Sequence, residues 1–263
     1  KMKTISFVIP VFNEEKRINI TFSALNKLSL PGGLKLEKIV FVNDGSTDKT
    51  TALLKTYKDK SKLGEKIQIV NYKRNRGKGY AIKKGMLETV SDYTLFFDAD
   101  MSTPLEELQK FMPYIEKNAD VVVGTRKNHL STVTKRQPLH REILGKCFTL
   151  LTQIVLNVIV TDFTCGFKLF SKKTVRPIFE SSQIRGWGYD AEILFLASKF
   201  GFSIEEKSVT WANDERTKVK VYIAVPQTLL ELCEIRYLHT FKPALTSFVA
   251  PQKAFILKLA SFV

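Results

Sequence analysis

Five short apolar runs follow one another between residues 5 and 124, with a helix-like stretch in each gap, and this alternation constrains the fold most. Ile5–Phe12, Lys38–Val42, Ile67–Asn71, Tyr93–Phe97 and Asp120–Gly124 read as strands. Glu15–Leu28, Asp48–Leu54, Tyr80–Val90 and Pro104–Glu116 read as helices, the first with Ile18, Phe22, Leu25 and Leu28 along one face. The alternation predicts an α/β fold, a mostly parallel central sheet with helices on both faces. Such sheets bind ligands at the carboxyl ends of their strands. Polar residues collect at those ends: Asn13-Glu14, Asn43-Asp44, Asp98–Asp100 and Thr125-Arg126.

The pattern changes after residue 127. Asn128–Pro138 reads as a polar, basic loop. Arg141–Val160 reads as a helix with a narrow polar stripe of Glu142, Lys146, Thr149, Gln153 and Asn157. Thr161–Phe170 is strand-like, Tyr189–Lys199 helical and Ile204–Trp211 a strand. Two apolar helical stretches, Pro226–Phe241 and Ala244–Val263, follow. The expected division is a catalytic domain over 1–218 and an appendage of amphipathic, membrane-associated helices over 219–263.

No uninterrupted apolar run is long enough to span a bilayer, so no transmembrane helix is expected. Pro251, Lys253 and Lys258 interrupt the last stretch, which suits a helix lying on a membrane. Arg141–Val160 fits either a helix packed into the core or one in the membrane interface.

The net charge of +15 favours an anionic partner: a phosphorylated small molecule, a nucleic acid or an anionic membrane surface. No pattern of a nucleic-acid-binding module is present, so no nucleic-acid partner is expected. Cys147, Cys165 and Cys233 form no CxxC pair, which argues against a zinc site or disulfide framework and for a reducing, cytoplasmic setting. Lys1 ahead of Met2 reads as an added residue, and no secretory leader is expected.

Asp98-Ala99-Asp100 carries the most chemistry. Residues two apart in extended chain point to the same side, so both carboxylates leave the end of Tyr93–Phe97 together. That pair suits a hard divalent cation sharing oxygen ligands with substrate phosphates. Gly77-Lys78-Gly79 matches neither a dinucleotide-binding GxGxxG nor a Walker A loop.

VIPVFNEE, VNDGSTDKT, NRGKGYAIKKGM, FFDADMSTP, VVVGTR, TDFTCGFKLF and RGWGYDAEIL occur in this order. Together they resemble the family 2 glycosyltransferases, which have the GT-A fold, over roughly residues 4–215. The branch most similar is the polyprenyl-phosphate transferases, including dolichyl-phosphate glucosyl- and mannosyltransferases. The segment DFTCGFKLF looks more like the glucosyl group, because the mannosyl group usually carries Arg where Lys168 stands.

The resemblance implies a nucleotide-sugar donor, UDP-glucose before GDP-mannose, and a polyprenyl-phosphate acceptor at the cytoplasmic face of a membrane. A soluble or polysaccharide hydroxyl acceptor is the alternative, and a homo-oligomer is left open. Pro10, Val11, Asn13, Glu14, Asp44, Lys78, Asp98 and Ala99 would line the nucleotide pocket. Asp100 would bind Mg²⁺ or Mn²⁺ bridging to the diphosphate. Arg126, Arg141 and Lys168 would hold the acceptor phosphate. One departure is Gly145, where the family often carries Ser. Asp98, Asp100 and Asp190 are the expected catalytic residues, Asp190 as either a base or an orienting group.

Overall fold

The computed structural model describes residues 2–128, 130–135, 137–214 and 221–241; at His140, Arg141 and 221–226 only the backbone is described. The expected helix Ala244–Val263 lies outside the described residues.

A seven-stranded sheet forms the middle layer. Its strands are β1 (Lys3–Val11), β2 (Leu34–Asp44), β3 (Ile67–Tyr72), β4 (Tyr93–Phe97), β5 (Val121–Thr125), β7 (Phe167–Ser171) and β8 (Ile204–Ser208), in the order β3-β2-β1-β4-β7-β5-β8. Pairing is parallel except for β7, which runs antiparallel to both β4 and β5. A separate ribbon joins β6 (Thr132–Lys135) to β9 (Thr210–Ala212).

Alternation along β1 sorts its side chains between two cores. Ile5, Phe7 and Ile9 enter one core with residues of α1 (Ile18–Asn26), α2 (Thr50–Lys60) and α4 (Met112–Glu116). Val8 enters the other with residues of α3 (Lys78–Leu87), α5 (Leu139–Leu156), α6 (Lys172–Ser181), α7 (Tyr189–Lys199) and α8 (Val221–Arg236). Both faces of the sheet are therefore covered, and β4 is buried along its whole length, as a central strand between two helix layers must be.

Several expected elements change. Pro104–Glu116 is a 3₁₀ stretch over Leu105–Phe111 running into the short α4. The run Thr161–Phe170 becomes a strand only in its second half, where β7 wedges between β4 and β5. Ile204–Trp211 divides into β8 and β9, which belong to different sheets. The expected loop Asn128–Pro138 contains β6, and α6 is an element the sequence pattern did not suggest.

Helix α5 buries two threonines and leaves several large apolar side chains in solvent. Thr149 and Thr152 are buried, while Leu139, Ile143, Leu150 and Ile154 are 71%, 52%, 58% and 68% exposed. Helix α8 packs beside it and leaves Leu230 74% exposed. Among the described residues no helix is long and apolar enough to cross a membrane.

Candidate active site

A cavity of about 740 Å³ opens at the carboxyl ends of β1, β2 and β4, where the sequence pattern placed a site. Its floor is built from strand ends and its far wall from α5 and α8.

Asp98 and Asp100 leave β4 as expected and line the cavity. Asp98 accepts an ion pair from Lys78 at the start of α3, Nζ to Oδ1 at 2.7 Å. Its carboxylate lies against Gly166, where any Cβ would collide with the carboxyl group. Gly166 thus leaves the room that the Asp98 carboxylate occupies, a feature the sequence did not flag. Asp100 accepts the backbone N–H of Ser102 at 2.9 Å. Burial first, then the neighbouring charge of Asp98, raises the Asp100 carboxyl above its ordinary range. Burial works against the charge on Lys78, but Asp98, Asp190 and Asp100 outweigh it and hold its pKa above the usual lysine value.

Asp44 lines the cavity but is spent largely on the chain itself. Its carboxylate accepts from the backbone N–H of Arg76 at 2.7 Å and of Gly77 at 3.0 Å, and from the Asn75 amide at 2.9 Å. These bonds hold the turn into α3, where Gly77 has φ +98°, open to glycine at little cost. Burial still raises the Asp44 carboxyl. Pro10, Val11 and Ala99 form the adjoining apolar wall.

Glu14 also reaches the cavity, but Arg17 grips it with two bonds of 2.7 and 2.6 Å. The same guanidinium pairs with Asp214 at 3.2 Å, so a residue distant in sequence closes this side. Asn13 is placed differently from expectation. It does not line the cavity; its Oδ1 accepts the Thr47 N–H at 2.8 Å while its own N–H donates to Ser46 Oγ at 2.9 Å. Asn13 ties the β1 and β2 loops together.

A neighbouring wall of the cavity is basic. Arg126, just beyond β5, donates to Asp162 from Nε at 2.7 Å and from Nη2 at 2.8 Å, and lies 5.1 Å from the Trp211 ring. Asp162 is fully buried; burial opposes its ionisation, yet Arg126 holds its carboxyl well below the usual carboxylate range. Arg141 lies on the first turn of α5, with its side chain outside the described residues.

The expectation for Lys168 is revised. Lys168 is completely buried on β7, and its ammonium donates to Asp190 and, at 2.6 Å, to the Cys165 carbonyl. It stands behind Asp190, which lines the cavity at the start of α7. Burial raises the Asp190 carboxyl, with Lys168 and Lys78 acting the other way.

Sequence reasoning missed Arg17, Lys127, Asp162, Trp187, Trp211 and Glu231. Glu231 is the most remote: from α8 it accepts the Gly188 N–H at 2.5 Å, capping α7 beside the Trp187 loop. Asp162 and Trp187 lay inside quoted motifs; nothing local singled out Glu231.

Among the described residues no three His, Cys, Asp or Glu side chains gather as a self-sufficient metal site. Two carboxylates at an open cavity fit a cation that draws its remaining ligands from phosphate oxygens and water. The raised Asp100 carboxyl is the electrostatic counterpart, since a cation there would relieve the repulsion from Asp98.

The model of glycosyl transferase family 2 matches residues 6–179. The chain belongs to this family. A dolichyl-phosphate β-glucosyltransferase of Dictyostelium discoideum is 31% identical over 242 residues, covering 89% of this chain and 74% of the relative. That of Saccharomyces cerevisiae is 33% identical over 248 residues, covering 88% and 74%. This family 2 chain also shares its fold with glucosyl-3-phosphoglycerate synthase from Mycobacterium tuberculosis, solved with Mn²⁺, UDP-glucose and glycerol 3-phosphate. The TM-score is 0.63 at 18% identity, covering 89% of this chain and 80% of that one.

Proposed function

We propose that this chain transfers glucose from UDP-glucose to the phosphate of a polyprenyl lipid, with inversion at the sugar carbon, at a membrane surface. The observation that carries the reading is a single cavity lined both by the carboxylate pair and by Arg126. Similarity to dolichyl-phosphate β-glucosyltransferases supplies the sugar and the acceptor class.

The acidic wall takes the donor. A divalent cation, Mg²⁺ or Mn²⁺, held by Asp100 would neutralise the diphosphate as it leaves. Lys78 adds a fixed positive charge beside Asp98. Pro10, Val11 and Asp44 border the nucleotide. The acceptor phosphate meets the sugar from the basic wall, and one of its oxygens displaces UDP in a single in-line step. A phosphate monoester with a second pKa of about 6 is already mostly dianionic at neutral pH, so no base is needed. Asp190, held by Lys168, therefore orients groups at the sugar rather than removing a proton.

The apolar outer faces of α5 and α8 suit the interface of an anionic membrane, with Leu144 and Phe148 leading from that surface into the cavity. A donor-by-acceptor screen tests the proposal. UDP-glucose with polyprenyl phosphate should give the highest kcat/KM. A preference for GDP-mannose, or for a hydroxyl acceptor, would replace it.

A further inference from the structure

Two cations on the basic wall share one carboxylate. Both Asp162 oxygens accept from Arg126, and Oδ1 also accepts from Thr164 at 3.2 Å. Lys127 lies farther from Asp162, Nζ to Oδ1 at 3.8 Å, with its side chain 23% exposed. Its hydrogen bonds go to neutral groups on α5, the Gly145 carbonyl at 2.9 Å and Thr149 Oγ1 at 2.5 Å. Partial burial without a tight counter-ion lowers its pKa, with Asp162 pulling the other way. Gly145 lines the same cavity, and a Cβ there would meet nothing within 4 Å. Lys127, Gly145 and Arg126 all line the cavity, flanked by the apolar Leu144 and Phe148.

We propose that Lys127 is a phosphate-binding residue, and that a phosphate monoester sits between Arg126 and Lys127 in the space beside Gly145. This rests on the reading of the acceptor as a phosphate and names a residue of its subsite. The surplus positive charge on this wall is what a dianion needs. Two donors of different geometry, the Nη1 side of a flat guanidinium and a tetrahedral ammonium, can reach different oxygens of one phosphate. The tail of a lipid monoester would leave past Leu144 and Phe148 towards the apolar face of α5.

The test measures acceptor KM with farnesyl phosphate in detergent at saturating UDP-glucose, beside calorimetric UDP affinity. Lys127→Met should raise acceptor KM about ten- to a hundredfold, the value of a charge-assisted hydrogen bond, with UDP affinity held within about twofold. Lys127→Arg should recover most of the loss. Gly145→Asp leaves the lysine in place and puts a carboxylate in the open space, so it should raise acceptor KM as well. Glycerol 3-phosphate, run as acceptor and competitor, separates a soluble monoester from a lipid one; Lys127-dependent use of either supports the subsite. Unchanged acceptor KM in both Lys127→Met and Gly145→Asp, or a parallel loss of UDP affinity, overturns it. If the wild-type chain glucosylates neither phosphate, the acceptor reading fails and the subsite fails with it.

Discussion

The acidic and basic walls of the cavity are made from different material. The acidic wall, with Asp44, Asp98 and Asp100, stands on the carboxyl ends of β2 and β4, inside the sheet and covered on both faces. The basic wall, with Arg126 and Lys127, stands on β5 and leans on α5, whose outer face is open and apolar. A rigid strand-end platform suits a small, highly charged ligand whose geometry must be repeated at each turnover. A helix with one face in the site and the other turned outward suits a ligand that is itself half phosphate and half hydrocarbon. The division of charge thus follows a division of architecture, and each wall can be disabled separately.

The largest effect should come from the acidic wall. Asp100→Ala should lower kcat about a thousandfold, as should excess EDTA on the wild type, because leaving-group charge then goes unneutralised. Circular dichroism should show the fold intact, since Asp100 projects from a strand end. Wild-type turnover in either case would remove the metal from the account.

Beneath both walls lies the Lys168–Asp190 pair. Lys168→Met leaves a buried carboxylate without its partner and should cost about 3–5 kcal/mol of stability. The double variant Lys168→Met/Asp190→Leu should regain most of that stability in urea unfolding while remaining inactive. Recovery of activity along with stability would mean Asp190 has no role at the sugar.

A smaller effect belongs to the outer face of α5. Leu150→Glu with Ile154→Glu should abolish flotation with anionic liposomes at low salt, each leucine-sized burial being worth about 1.5–3 kcal/mol. UDP affinity and melting temperature should be unaffected, because these side chains touch solvent. Flotation equal to wild type would move the membrane contact elsewhere.

The smallest is a pH effect. The Asp100 carboxyl is raised, chiefly by burial, so the folded chain binds that proton more tightly than the unfolded chain does. Its ionisation therefore opposes folding at pH above the folded pKa, and the penalty vanishes below the ordinary carboxylate pKa. In metal-free buffer Asp100→Asn should melt a few degrees higher than wild type at about pH 8 and no higher at about pH 4. The same gain at both pH values would assign it to something other than charge.

What could be read from the sequence was what is local. Strand ends can be located from apolar runs, which puts Asp44, Asp98, Asp100 and Arg126 at one edge of the sheet, while Lys78 follows only from the family resemblance. Direction and partnership are not local. Thr161–Phe170 has the composition of a strand, but nothing in it says that only its second half pairs, or that it runs antiparallel to both neighbours. Asn13 and Lys168 have the right chemistry for ligands, yet their hydrogen bonds go to Ser46, Thr47, Cys165 and Asp190. Helix α6 was hidden because Lys172, Lys173, Arg176 and an internal Pro177 mask a buried face of Thr174, Val175, Ile178 and Phe179. Of the polar stripe of α5 only Thr149 is buried, where Lys127 reaches it from another element, while Lys146 and Asn157 are exposed.

The division of labour between the two walls is tested most directly by one crossed measurement, KM for UDP-glucose and for polyprenyl phosphate in Asp100→Asn and in Arg126→Lys. Asp100→Asn should weaken the donor and spare the acceptor. Arg126→Lys should raise acceptor KM about tenfold or more, because an ammonium cannot bridge both Asp162 oxygens and still present N–H groups to a phosphate, and leave donor KM unchanged. Matching shifts of both constants in both variants would contradict a cavity with separate donor and acceptor walls.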